Sequence, residues 1–201
     1  MDNLSIKAFL CLTHNCPKLQ TLTLSLAYEE SVQMSQICSS LITLGQNCKS
    51  IRHLICVDNI PRQVAEDGWM IAGFKTVTSL QVYIHDWVDE DIKCLVSGFP
   101  ELRSLILLVM CCDLSDMTVK YISELCPKLV KLKMHGCGRM TNSCLTYLIS
   151  GCPALKDLYM SGTWESRDLI THEAVSTFPK SCRLRIRQRF GCKQTPLTLT
   201  N

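Results

Sequence analysis

Cys126-Pro127-Lys128-Leu129-Val130-Lys131-Leu132-Lys133-Met134-His135-Gly136-Cys137 opens with a pattern, Cys-Pro-x-Leu-x-x-Leu-x-(Leu/Met), that occurs twice more in this chain. The other full copies are Cys16-Pro17-Lys18-Leu19 with Leu22 and Leu24, and Cys152-Pro153-Ala154-Leu155 with Leu158 and Met160. Weaker copies start at Cys48 (Ile51, Leu54, Cys56), Phe74 (Val77, Leu80, Val82) and Phe99 (Leu102, Leu105, Leu107). A last copy starts at Phe178 with Leu184 and Ile186, and Ser181 stands where its first leucine belongs. The starts are separated by 32, 26, 25, 27, 26 and 26 residues. A period of this size marks stacked units, each burying its apolar face on its neighbours, and so a solenoid of about seven repeats.

Within a unit, Leu-x-x-Leu-x-Leu ends in the period-two alternation of a short strand. A turn and a helical pattern follow. Val119, Ile122 and Leu125 before Cys126, and Leu145, Leu148 and Ile149 before Cys152, are spaced to share one helix face against the strand. Leu114-Ser115-Asp116 and Met140-Thr141-Asn142 supply turn and cap residues for those helices. Pro at the second repeat position suits a chain leaving a helix. Phe9 and Leu12 lie in register before Cys16, so the chain begins within the helix of an earlier unit. The long first spacing predicts an insertion looping out between Leu24 and Leu41. Asn59-Ile60-Pro61 and Asp67-Gly68 predict a reshaped loop in the second unit. Residues 188–201, rich in Thr, read as a frayed tail to a single array covering 1–201.

Composition agrees with a folded chain. Hydrophobic residues make up 47% and charged residues 19%, against disorder. The longest apolar run, Leu105 to Cys112, is far shorter than the ~20 residues that span a bilayer. No basic-then-apolar leader follows Met1, so no membrane partner is expected. Fourteen cysteines raise the prospect of a disulfide framework, but nine of them occupy repeat positions. Cys16, Cys48, Cys126 and Cys152 share the first position; Cys111 and Cys137 fall in the turn after the strand. Cys11 and Cys94 lie on helices, and Cys56 is an inward strand position. Read as buried free thiols, they point to a reducing compartment, cytosol or nucleus.

The run from Cys126 to Asn142, supported by Cys111-Cys112-Asp113-Leu114-Ser115-Asp116 and by His85-Asp86-Trp87-Val88-Asp89, resembles the cysteine-containing class of leucine-rich repeats. The resemblance covers residues 4 to 190. It implies an α/β right-handed leucine-rich-repeat solenoid, with a parallel sheet on the concave face and helices outside. That class is best known from F-box/LRR proteins, the substrate receptors of cullin-based (SCF-type) ubiquitin ligases. The resemblance thus implies protein binding for ubiquitination, in cytoplasm or nucleus, with no cofactor. No F-box, the short helical module with a Leu-Pro start, is found in the sequence, so a cullin-ligase adaptor is expected only if an F-box lies outside it. The alternative is an F-box-independent scaffold.

In such repeats the partner lies on the concave face, and the strand register picks out its residues. Arg52, His53, Tyr83, Arg103, Ile106, Leu108, Lys131, Lys133, His135, Lys156, Tyr159, Arg183, Arg185 and Arg187 are the expected contacts. Cations dominate the later units, which suits an acidic or phosphorylated protein segment with Tyr83, Tyr159, Ile106 and Leu108 as apolar anchors. The plainer account is that exposed strand positions are simply polar, and that Ile106 and Leu108 lie beneath an inserted loop. Nucleic acid ranks third, because net charge is only +3 and few aromatics interleave with the cations.

Sharper chemistry fails on spacing. His172-Glu173-Ala174-Val175-Ser176 has Ser where a zinc protease needs its second His. Cys11, His14 and Cys16 lack a fourth ligand for zinc. Asp86, Asp89, Glu90 and Asp91 lack the spacing and Gly of a calcium loop, and read as a solvated turn and helix start. No catalytic residues are assigned, and the chain reads as non-enzymatic.

Overall fold

A computed structural model describes residues 16–25, 34–60, 74–110, 114–136, 139–162, 170–190 and 193–199. Strand and helix alternate in chain order: β1 Thr21–Leu24, α1 Met34–Asn47, β2 His53–Ile60, β3 Ser79–His85, α2 Asp89–Ser97, β4 Ser104–Met110, α3 Asp116–Leu125, β5 Lys131–His135, α4 Asn142–Gly151, β6 Asp157–Ser161, α5 His172–Ser176, β7 Arg183–Phe190 and β8 Lys193–Leu199. One sheet takes all eight strands in sequence order. Strands β1 to β7 pair in parallel. The chain is a leucine-rich-repeat solenoid, and the repeat leucines stack in register: Leu54, Leu80, Leu105, Leu132, Leu158 and Leu184 form one continuous row, all buried.

Alternation in the strands follows from burial on one face only. Each strand of the β3–β6 stretch buries every second residue against the helices and leaves the rest half-exposed. Helix packing matches the sequence pattern except at one point: Val119, Ile122, Leu145 and Leu148 are buried, but Ile149 is 40% exposed and Cys144 takes the core position instead. The first-position cysteines are seated by their size and weak S–H donor. The Cys48 thiol reaches the Cys16 carbonyl at 3.4 Å, and that of Cys152 reaches the Cys126 carbonyl at 3.7 Å, tying one turn to the previous one. Burial pushes the Cys56 and Cys126 thiols up to about 12 and that of Cys152 to about 11. Cys94 departs from the expectation, being exposed on α2; Cys11, Cys111 and Cys137 lie outside the described residues.

Helix starts are joined across repeats by a polar ladder. Asp89 of α2 accepts from the Ser115 N–H at 2.9 Å, the Ser115 hydroxyl at 2.6 Å, the Thr118 N–H at 3.1 Å and the Thr118 hydroxyl. Ser115 in turn caps α3, accepting from Met117 N–H. One repeat on, Asp116 accepts from the Thr141 N–H at 2.7 Å and from its hydroxyl, while Thr141 caps α4. At the next step Asn142 accepts from Thr171 N–H at 2.8 Å and donates to its hydroxyl at 3.2 Å. The acidic segment after Trp87 is therefore no solvated turn throughout. Asp89 is a bridge between units, and Asp91 is buried and reaches back to the Val88 N–H at 2.9 Å.

Four further expectations are corrected. Part of the stretch expected to loop out before Leu41 is helix, because α1 already begins at Met34; residues 26–33 lie outside the described residues. Asn59 and Ile60 belong to β2 rather than to a loop. The strand takes up two extra residues in a bulge between Ile55 and Asn59, and buried Ile60 accepts from the Trp87 indole at 3.0 Å. In the last unit Ser181 is exposed and buried Cys182 fills the leucine slot, its N–H donating to Pro179 one position later than the equivalent turn bonds elsewhere. Finally, the stretch after 187 does not fray at once: β7 continues to Phe190 and β8 returns antiparallel along it.

Candidate functional site

The concave surface is a grid. Outward side chains of β3 to β7 align in three rows that cross the strands: Ser79, Ser104, Lys131, Asp157, Arg183; then Gln81, Ile106, Lys133, Tyr159, Arg185; then Tyr83, Leu108, His135, Ser161, Arg187. Neighbours in a row stand one strand spacing apart, ~4.8 Å.

Parallel in-register strands divide this grid into two halves. On β2 and β4 the exposed side carries apolar side chains: Ile55, Ile106 and Leu108 are half-buried, while Val57 is 50% and Met110 48% exposed; Ser79, Gln81, Tyr83 and His85 of β3 stand between them. The Tyr83 hydroxyl lies against the Met110 sulfur. On β5 to β7 the side is basic, with Lys131, Lys133, Arg183, Arg185 and Arg187 at outward positions. Asp157 is the one carboxylate among the described outward residues of those strands, and Arg185 engages it at 3.1 Å.

Tyr159 is the centre of the basic half. The guanidinium carbons of Arg185 and Arg187 lie 5.7 and 5.9 Å from its ring centroid, within cation–π range. The His135 ring packs on it at 4.8 Å, tilted by 39°, and His135 Nδ1 is 3.4 Å from the Ser161 hydroxyl. Burial, helped by Lys133 and Arg187, lowers the His135 pKa, so the ring prefers to stay neutral. Arg185 Nε is shielded from solvent and has no hydrogen-bond partner. These side chains hold one another in place and crowd positive charge around one aromatic ring.

The structure brings together Tyr83, Ile106, Leu108, Lys131, Lys133, His135, Tyr159, Arg183, Arg185 and Arg187 as expected from the register, and His53 continues the face on β2. It does not bring Arg52, Arg103 and Lys156 onto this face. Each lies one residue before its strand, out of phase with the outward row, on the rim. Arg52 turns its guanidinium back onto the carbonyls of Lys49 and Ile51, at 2.8 and 3.1 Å. Ile106 and Leu108 are only half-buried. Sequence reasoning missed His85 and Met110, because β3 and β4 run one outward position beyond the repeat minimum. The unbroken apolar run from Leu105 carried that signal.

Among the described residues no group of three or more His, Cys, Asp or Glu could hold a metal ion, and no helix is long and apolar enough to cross a membrane. Neither family models nor curated proteins match this sequence. Solved structures do match its fold. Rad7 in its complex with Elc1 from yeast superposes over 92% of this chain with a TM-score of 0.53 at 18% identity. TLR13 in complex with ssRNA13 superposes over 92% with a TM-score of 0.51 at 16% identity. The chain spans 52% of the length of Rad7 and 28% of that of TLR13.

Proposed function

We propose that this chain is a protein-binding scaffold that holds a target segment on its concave sheet. The observation that carries this reading is the face itself, exposed apolar side chains on β4 beside a basic stretch on β5 to β7 of one curved sheet, with rigid support from the stacked core. Its role is substrate recognition for a cullin-based ubiquitin ligase. The repeat signature from Cys126 to Asn142 supports that role through its resemblance to F-box/LRR receptors. On this reading the chain is non-catalytic: it positions a target, and transfer chemistry belongs to other subunits. Buried thiols with raised pKa values suit a reducing cytosol or nucleus.

The experiment is native affinity purification of the endogenous protein, with partners identified by mass spectrometry. Recovery of cullin and its F-box adaptor supports the receptor role. Other partners without either subunit would leave an F-box-independent scaffold. Retention of every protein partner by an Ile106→Asp variant would overturn binding through this face.

A further inference from the structure

We infer that the concave face is a two-part docking site for an extended phosphoserine- or phosphothreonine-bearing segment, with the phosphate among Lys133, Arg185 and Arg187 around Tyr159 and an apolar side chain on Ile106 and Leu108; this rests on the scaffold reading above. The charge balance chooses the ligand. Among the described outward side chains of β5 to β7 five cations stand against one carboxylate, and that carboxylate is already engaged by Arg185. A lone carboxylate needs one such partner. A phosphate dianion presents three acceptor oxygens and gains from several converging donors. Tyr159 has Lys133 beside it on β5 and Arg185 beside it on β7, with Arg187 also against its ring.

The register fixes the geometry of the segment. Ile106, Lys133 and Tyr159 are consecutive members of one row, so the apolar and anionic positions are two strand spacings apart, ~10 Å. Extended chain advances ~3.3 Å per residue, which puts the apolar anchor about three residues from the phosphorylated one. A segment crossing the strands satisfies both halves together. The aromatic complement on this half is a single Tyr flanked by cations, which gives no succession of stacking platforms for the bases of a single strand.

The test uses the full chain and short fluorescein-labelled peptides carrying one phosphoserine, with Leu moved along either side of it. Anisotropy should show at least ~10-fold tighter binding than for the unphosphorylated peptide, as expected for several charge-assisted bonds. Affinity should peak with Leu about three residues away. Lys133→Gln and Arg187→Gln should abolish the phosphate preference and keep the Leu preference, while Leu108→Ser should do the reverse; circular dichroism confirms folding of each variant. Equal affinity for phosphorylated and unphosphorylated peptides overturns the inference. So does oligouridylate that competes with the phosphopeptide and loses affinity in the same Lys133 and Arg187 variants. A parallel capture of cellular partners separates the two levels. Partners lost with Ile106→Asp but retained after phosphatase leave the scaffold reading standing without the phosphate, whereas partners indifferent to Ile106→Asp overturn both.

Discussion

Replacing Asp89 by Ala removes the acceptor that joins α2 to the start of α3. Four bonds end on that carboxylate, but they are not equally exposed to loss. The Thr118 N–H keeps the Ser115 carbonyl at 3.1 Å, and the Ser115 hydroxyl can turn toward solvent. Two groups are stranded: the Ser115 N–H and the hydroxyl of fully buried Thr118. At about 1–1.5 kcal/mol for each buried donor left without a partner, Asp89→Ala should cost about 2–3 kcal/mol. Asp89→Asn should cost about 1 kcal/mol or less, since it keeps one acceptor oxygen and the Ser115 hydroxyl can reverse to accept. Asn142 already makes such a bridge to Thr171 one position down the ladder. The same substitution to Ala should hurt less at Asp116, whose partner Thr141 is half-buried, and least at Asn142, whose partner is exposed. Urea unfolding followed by far-ultraviolet circular dichroism reads the order. Equal midpoints for Asp89→Ala and Asn142→Ala would refute the claim that buried inter-repeat donors set the cost.

Gly151→Ala should destabilise by about 1–3 kcal/mol through overpacking, because the new Cβ would sit 2.6 Å from the Ser123 Cβ and 2.7 Å from its carbonyl oxygen on α3; the urea midpoint checks it. Native alkylation at about pH 8 should label Cys94 before the other described cysteines and leave Cys56, Cys126 and Cys152 intact, since their thiolate fractions are about a thousandth or less. Peptide mapping by mass spectrometry decides it. His135 has a lowered folded pKa, so its contribution is present above the unfolded value of about 6.5 and is lost as pH falls below that. Wild type should therefore lose more stability than His135→Gln between about pH 7.5 and about pH 5.5. Matching losses would remove His135 from the account.

Much of this architecture was legible because the repeat reports the same decision several times over. Each Leu-x-x-Leu-x-Leu states which strand face is buried, and parity alone then exposes Lys131, Lys133 and His135 on one strand and Arg183, Arg185 and Arg187 on another. Parity misleads at Arg52, Arg103 and Lys156, where the strand has not yet begun and exposure no longer means the concave face. The role of Asp89 was hidden for another reason. Carboxylates at a helix start have a sufficient local explanation in the helix dipole, whereas the partners of Asp89 lie 26 and 29 residues away. Cys182 was missed because the turn of the last unit slips by one residue, which spacing counts register only as an imperfect leucine. The juxtaposition of Arg185, Arg187 and His135 on Tyr159 needs coordinates, since it depends on rotamers as well as register.

The unit that begins at Ser115 carries both halves of the inter-repeat joint, hydroxyl and N–H donors for the unit behind and the Asp116 acceptor for the unit ahead. It is complementary to itself. A tandem copy of that segment would meet, at the new junction, the Asp-to-hydroxyl pairing already present at the old ones. Growth or shrinkage of such an array by whole-unit duplication and deletion therefore leaves no dangling polar groups at the seam. Extra residues short of a whole period have to be taken up within a unit, and the two-residue bulge of β2 is one device that does so without breaking the strand order.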